Sequence, residues 1–204
     1  MTDRAEEFAR LENAVMVLLR NLPENLFYHT IEHTLDVMRE AMRIAESEQL
    51  GDEATHLLKI AALLHDSGFT RSLADHELNS CNIAREILPD YQLGPEEIEQ
   101  VCAAILATRI PQTPLDKISE ILCDADLDYL GRSDFFEIGD SLYKEMYFKG
   151  VLKNRLSWNE LQVKFLKQHR YFTETNIQLR NPQKLKYLRE IEEWLASKEN
   201  DQSA

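Results

Sequence analysis

The sequence predicts an all-α protein, and three observations carry that prediction. Only six glycines and six prolines occur in 204 residues. Apolar residues recur with a helical period in nearly every interval between them. No stretch alternates as a strand would, and no internal repeat or low-complexity linker interrupts the pattern. With 44% hydrophobic residues, the chain can bury a real core, and a single domain over 1–204 is expected.

The first helix is expected from about Asp3 to Arg20, with Phe8, Leu11, Val15 and Leu18 or Leu19 on one face, and Asn21-Leu22-Pro23-Glu24-Asn25 breaks it. Tyr28-His29-Thr30-Ile31-Glu32-His33 leads into a second helix that reaches about Gln49 and ends near Gly51. Asp52 caps the third. Its run from Leu57 to Leu64 is apolar nearly all round, which reads as a buried central helix ending on His65-Asp66. After Gly68, a short loop leads to Asp75, the expected N-cap of a helix through Ile83, Ile87 and Leu88. Gly94-Pro95-Glu96-Glu97 is a strong helix start, with proline at the first position and acids in the first turn. That helix runs to Thr108 and stops at Ile110-Pro111-Gln112-Thr113-Pro114.

The next helix holds Ile121-Leu122-Cys123-Asp124-Ala125-Asp126-Leu127-Asp128 and reaches Gly131. Its three alternate aspartates cannot share a helix face, so one is expected to point inward while the others are solvated or cap neighbours, a solvated acidic turn being the plainer reading of Asp124 and Asp128. Ser133 is read as the cap of a helix ending near Phe148. Ser157 and Glu160 have capping-box spacing and open a helix to about His169. Thr173-Glu174-Thr175 and Asn181-Pro182 punctuate the way to a last amphipathic helix bearing Leu185, Leu188, Ile191, Trp194 and Leu195, with a frayed tail after Lys198.

A formal net charge of −13, with 36 acidic against 23 basic residues, argues against a polymeric nucleic acid as partner, because phosphate-backbone affinity needs clustered Lys and Arg. A small anion can still bind where a divalent cation supplies the largest local charge. Cys81, Cys102 and Cys123 lie in apolar helical patterns without a Cys-x-x-Cys and read as reduced core residues. No apolar run approaches the roughly 20 residues that span a bilayer, and Met1 to Glu7 carry no signal-peptide stretch. No membrane partner is expected, and the cytoplasm is the expected location. Apolar positions on the first and last helices could pack within a monomer or form the seam of a homodimer.

The chemistry concentrates in histidines and aspartates. A buried helix rarely ends on a charged pair, since an ionised aspartate there is costly unless paired or bound to metal, and neutral imidazole is the commonest metal ligand. Read alone, His65-Asp66 is either a metal-binding pair or a C-terminal histidine favoured by the helix dipole beside a capping aspartate. His29 and His33, four residues apart, would share a face if both were helical; otherwise one packs in the core and the other caps. His56, outside any motif, reads as structural.

Taken together, His33, then His65-Asp66, then Asp126 resemble the HD-domain superfamily of metal-dependent phosphohydrolases, over about Tyr28 to Gly131. The resemblance implies an HD-type helical bundle with a motif core at about 28–131 and a C-terminal helical extension over 132–198. It also implies His33, His65, Asp66 and Asp126 as ligands of a divalent cation: Mn, Mg, Fe, Ni or Zn. Asp126 is preferred to Asp124 because family members read Ala-Asp, a further residue and Leu, as Ala125-Asp126-Leu127-Asp128 approximates. A mixed imidazole and carboxylate shell suits an open catalytic site, unlike a thiolate-rich structural one. The implied activity is hydrolysis of a small phosphoester, a nucleotide or cyclic nucleotide, with Asp66 central because it can bridge two ions or hold the attacking water.

Tyr28-His29-x-x-x-His33 is also similar to the opening motif of cyclic-nucleotide phosphodiesterases, which makes His29 a general-acid candidate. Those enzymes place a histidine three residues past the His-Asp pair, where this chain has Phe69, and their C-terminal glutamine region has no counterpart. His76 is placed for a possible second metal, or is simply a helix-start residue. The second histidine of binuclear relatives is missing from Ala104-Ile105-Leu106-Ala107-Thr108. The stretches around Arg109, Arg132 and His169-Arg170-Tyr171-Phe172-Thr173 resemble an uncharacterised bacterial subgroup. Arg109, Arg132 and Arg170 could grip phosphate, with His169 a donor beside it, or be surface residues near helix ends. Two alternative functions are an HD-type iron oxygenase and a non-catalytic nucleotide-binding signalling module.

Overall fold

The computed structural model describes residues 4–202, and side chains as far as Lys198. The expected start at Asp3 therefore lies outside the described residues. Every regular element among them is helical. The helices group into two compact units, Met1–Asp126 and Leu127–Ala204.

In the first unit, α1 (Arg4–Leu19), α2 (Ile31–Ser47), α3 (Asp52–Leu64), α4 (His76–Ile87), α5 (Pro95–Ala107) and α6 (Lys117–Asp126) are joined by short loops and two 3₁₀ turns, Ser67–Thr70 and Leu88–Tyr91. The nearly all-apolar α3 is the hub, packed against α1, α2, α4, α5 and α6. Leu57, Leu58, Ile60, Leu63 and Leu64 are all buried. Each such side chain stabilises the fold by about 1.5–3 kcal/mol relative to exposure. Phe8, Leu11, Val15 and Leu19 form the buried stripe of α1, as their spacing predicts. The three cysteines are buried and free; Cys81 Sγ lies 3.4 Å from the Cys102 carbonyl oxygen, and Cys123 Sγ 3.2 Å from that of Ala107.

Caps differ from expectation in instructive ways. Gly51, not Asp52, occupies the cap position of α3, and Asp52 is its first residue. Asp75 does precede α4, but in the left-handed conformation (φ 51°) and without a capping hydrogen bond. Gly94-Pro95 opens α5 as predicted, with Glu97 Oε2 accepting the Gly94 amide at 2.7 Å.

The second unit holds the 3₁₀ turn Asp128–Gly131 and α7 (Phe135–Phe148), α8 (Arg155–Gln168), α9 (Glu174–Leu179) and α10 (Asn181–Gln202). Asp134, not Ser133, stands at the cap position of α7. Asn154 caps α8 and exchanges hydrogen bonds with Ser157, so the box lies three residues earlier than predicted. α10 continues to Gln202. The buried face of α10 is Lys184, Tyr187 and Ile191, whereas Leu185 and Trp194 are exposed.

The aspartate-rich run departs most from expectation. Asp124 and Asp128 are both fully buried, not solvated. Asp128 Oδ1 accepts from Asn176 Nδ2 at 3.0 Å and from Arg180 Nε at 2.9 Å, and Arg132 NH1 lies 3.7 Å from Oδ2. Buried charge with such partners is tolerated where an isolated charge would not be. Gly131 lets the chain pass close to Arg180, between α9 and α10, because a Cβ there would stand 2.6 Å from Cβ of Arg180.

Candidate metal centre

Thr30 Oγ1 accepts the amide of His33 at 3.3 Å and starts α2, which fixes where the His33 side chain emerges. His29 lies before that cap, so the two histidines are not a helical pair. The turn still brings them together, with ring centroids 6.2 Å apart. His65 closes α3, and its Nδ1–H donates to the Ala62 carbonyl at 2.8 Å, which turns Nε2 toward the cluster. Such a bond fixes tautomer and orientation in metal-ligating histidines. Asp126, the last residue of α6, arrives from the far end of the unit's sequence.

These groups converge. His33 Nε2 lies 3.2 Å from Asp126 Oδ1, 3.4 Å from His65 Nε2 and 3.5 Å from Asp66 Oδ2. His65 Nε2 lies 3.3 Å from Asp66 Oδ2 and 3.7 Å from Asp126 Oδ1. A metal with bonds of about 2.1 Å has ligand-to-ligand edges of roughly 3.0 Å in an octahedron and 3.4 Å in a tetrahedron. The observed spacings fall around those values. Ligand atoms of His33, His65 and Asp66 all lie within 4.8 Å of one another, and Asp66 Oδ2 is buried without a hydrogen-bond partner among the described residues. A cation at the centre would satisfy that oxygen and relieve the crowding of lone pairs, so the donor set fits a divalent metal.

The other Asp66 oxygen faces elsewhere. His76 Nε2 lies 3.5 Å from Asp66 Oδ1, and His76 Nδ1 lies 3.6 Å from Glu77 Oε2. His76 is thus the first residue of α4 as well as a neighbour of the cluster. Its ring stacks on Phe69 at 3.9 Å, and Phe69 also meets His29 at 4.4 Å.

Four supporting residues lie outside the pattern of histidines and aspartates. Tyr28 donates to the Asp126 carbonyl at 3.4 Å, and its ring lies 4.5 Å from that of His33. Ser80 Oγ accepts the Gly68 amide at 2.8 Å and donates to the His65 carbonyl at 2.7 Å, tying α4 to the end of α3. Gly68 permits this approach, since a Cβ would overlap the His76 carbonyl and stand 2.6 Å from the Ser80 amide nitrogen. Phe69, expected only as the place of a missing histidine, is buried as a packing surface for two imidazoles.

Of the arginine candidates, Arg109 bonds Asp75 Oδ1 at 3.0 Å and lies 3.5 Å from Glu77 Oε2, beside His76. Arg132, His169 and Arg170 belong to the second unit. Arg132 is engaged by Asp134 at 2.5 Å, His169 contacts Lys184 and Arg170 lies 5.4 Å over the Phe172 ring. His56 is partly buried near Phe8, and burial pushes its pKa down.

Burial alone would lower the His65 pKa, but the Asp66 carboxylate 3.3 Å away, with the Asp126 charge, outweighs it and raises it from 6.5 to about 9. Asp66 is driven below the usual carboxylate range, because the His65 interactions outweigh its own burial. Burial lowers His76 against the opposing pull of Asp66 and Glu77. The metal-free protein consequently holds a proton on His65 that a cation must displace. Its apparent metal affinity is expected to rise about tenfold per pH unit until about pH 9 and then level. Because the folded pKa is raised, the ion pair's contribution to stability is complete below pH 6.5 and lost as pH climbs through about 9. Thermal unfolding of chelator-treated protein across that window checks the sign.

Residues 30–128 match the family model described as HD domain. An uncharacterised protein of Clostridium beijerinckii is 37% identical over 84 residues, a match covering 40% of this chain and 53% of that relative. The chain thus spans about half the length of this curated relative. The crystal structure of a predicted HD superfamily hydrolase from an uncultured Thermotogales bacterium shares the fold, with a TM-score of 0.61 at 23% identity, over 93% of this chain and 91% of that one. Among the described residues, no helix is long and apolar enough to cross a membrane.

Proposed function

We propose, on the match of residues 30–128 to the HD-domain family model, that the protein is a metal-dependent phosphohydrolase acting on a small phosphoester of the nucleotide or cyclic-nucleotide class. The observation that carries the reading is the convergence of His33, His65, Asp66 and Asp126 at 3.2–3.7 Å spacings. These four residues would hold the ion. When bound, a divalent cation supplies a Lewis acid for a phosphoryl oxygen and lowers the pKa of water.

The chain's own residues supply the rest. Asp66, with Oδ2 in the cluster and Oδ1 toward His76, orients the attacking water and accepts its hydrogen bond. His29, in the same ring cluster as His33 and His76, donates a proton to the leaving oxygen as general acid. His76 supports at most a weaker second ion. Arg109, held beside His76 by two carboxylates, faces the substrate phosphate. Arg132, His169 and Arg170, phosphate-binding candidates in the sequence, belong to the second unit and take no part in this proposal.

The first experiment is elemental mass spectrometry of the purified protein beside phosphate-release and cyclic-nucleotide assays with Mn²⁺, Mg²⁺, Ni²⁺ or Fe²⁺. Bound transition metal with ester cleavage supports the reading. Two irons and oxygen-dependent turnover without phosphate release would replace it with an oxygenase. Nucleotide-dependent thermal stabilisation without turnover would leave a binding module.

A further inference from the structure

Three helices of the second unit, α7, α8 and α10, border a cleft of about 330 Å³. That volume is within the usual range for small-molecule sites. Its buried lining includes Trp158 and Ile191, while Phe136 and Trp194 border it at 43% and 36% exposure. Aromatic faces left open at a concavity can take another ring or a cation.

The charged groups of the lining are Asp140, Arg155 and Glu190. Arg155 NH1 donates to Asp140 at 2.6 Å, and the same guanidinium lies 4.2 Å over the Tyr143 ring, so these two answer each other. Glu190 is different: its carboxylate has no hydrogen bond or ion pair among the described residues. It stands four residues before Trp194 on α10, which makes carboxylate and indole neighbours on one helix face. That indole already accepts a cation, because the Lys198 ammonium lies 6.0 Å from its centre without bordering the cleft.

Deeper in the cleft lies a second unused group. Gln162 is only 9% exposed, and its side chain makes no hydrogen bond among the described residues. Gly139 keeps the space beside it open, since a Cβ there would stand 3.3 Å from Gln162 Nε2. A primary amide withdrawn from water with donor and acceptor both idle is costly, and it favours a ligand group that can give and accept a hydrogen bond. Asn159, three residues earlier on α8, lines the same cleft and is also without a hydrogen bond among the described residues.

We infer that this cleft binds a small aromatic ammonium ion that carries a hydroxyl at the far end of its ring. The ammonium meets Glu190, the ring lies against Phe136 and Trp194, and the hydroxyl reaches the Gln162 amide. An anion is disfavoured, because the one unanswered charge of the lining is negative. The site is made entirely by residues of the second unit, so it does not require the metal centre and does not depend on the phosphohydrolase reading.

Isothermal titration of the full chain with tyramine tests it. One site per chain is expected. The neutral analogue 4-(2-hydroxyethyl)phenol should bind about threefold more weakly, the scale of one exposed charge pair, and 3-(4-hydroxyphenyl)propionate more weakly still. Phenethylamine, which lacks the hydroxyl, should also lose about threefold. Glu190→Gln, a change on the exposed rim, should erase the preference for tyramine over its neutral analogue. Trp194→Ala should weaken both about fivefold or more. Gln162→Leu should make tyramine and phenethylamine equal; if that variant does not fold, the same two ligands on the native chain still measure the hydroxyl. Binding should persist in a chain carrying His65→Ala and Asp66→Ala. Equal affinity for the charged, neutral and anionic probes, an undiminished tyramine preference in Glu190→Gln, unchanged binding in Trp194→Ala, or no tyramine binding at millimolar concentration would each overturn the assignment. So would several tyramines per chain with affinities indifferent to these variants, which would be general attraction to a chain of net charge −13.

Discussion

Changing His65 and Asp66 together to alanine is expected to abolish metal loading and to lower phosphoester turnover by about 10³-fold or more, the scale on which losing central catalytic groups acts. The double change removes two of the four donor atoms that meet in the cluster and leaves only those of His33 and Asp126, too few to retain a hydrated divalent ion at ordinary concentrations. Both residues are buried, so loss of activity must be separated from loss of fold. Asp66→Asn keeps the volume and removes the charge; it should fold and still fail to load metal. A binding ion stabilises only the folded state, by about 2.7 kcal/mol at a hundredfold excess over Kd. Added Mn²⁺ should therefore raise the melting temperature of the native protein and leave both variants unmoved. Wild-type turnover in the double variant would end the phosphohydrolase reading.

The second large effect is on stability. Asp128→Ala is expected to destabilise the Leu127–Ala204 unit by about 3–5 kcal/mol, the cost of removing one partner from a buried charged network. Arg180 and Asn176 both bond Asp128 Oδ1, and the alanine removes that shared acceptor from a largely buried network. Asp128→Asn keeps an oxygen and should cost less. Trp158 and Trp194 both lie in this unit, so urea unfolding followed by tryptophan fluorescence reports on it directly. A loss below about 1 kcal/mol for the alanine variant would show that the network is not what holds the turn.

The four converging donors were legible because each stands at a discontinuity in the apolar pattern: His65 and Asp66 where a buried helix stops, His33 after a helix-start threonine, Asp126 at the end of another apolar run. Resemblance to a known family then chose Asp126 from three aspartates. Spacing alone misread the other two. Alternation on a helix excludes a shared face, but it does not exclude burial against a neighbouring segment, and Asp128 finds Asn176 and Arg180 some fifty positions later. The His29–His33 pair illustrates the same limit, because a turn joined what helical spacing would have joined differently. On α10 the apolar residues outnumber the buried places, and Lys184 takes one of them, so periodicity placed Leu185 and Trp194 inward when they face out. Ser80 and Gly68 were silent because a hydrogen bond to a backbone amide and the absence of a Cβ leave no chemical signature in a sequence.

The three thiols of the first unit sit on α4, α5 and α6, one on each, sealed from solvent. A maleimide or iodoacetamide can reach one of them only when its helix swings clear of α3, so the rate at which each is modified becomes a clock for opening of that helix. Cys81 times the segment that carries His76, and Cys123 the one that carries Asp126. The chain thus contains its own probes, one per helix, for whether a bound ion holds the two ends of the metal centre closed together or secures one while the other breathes.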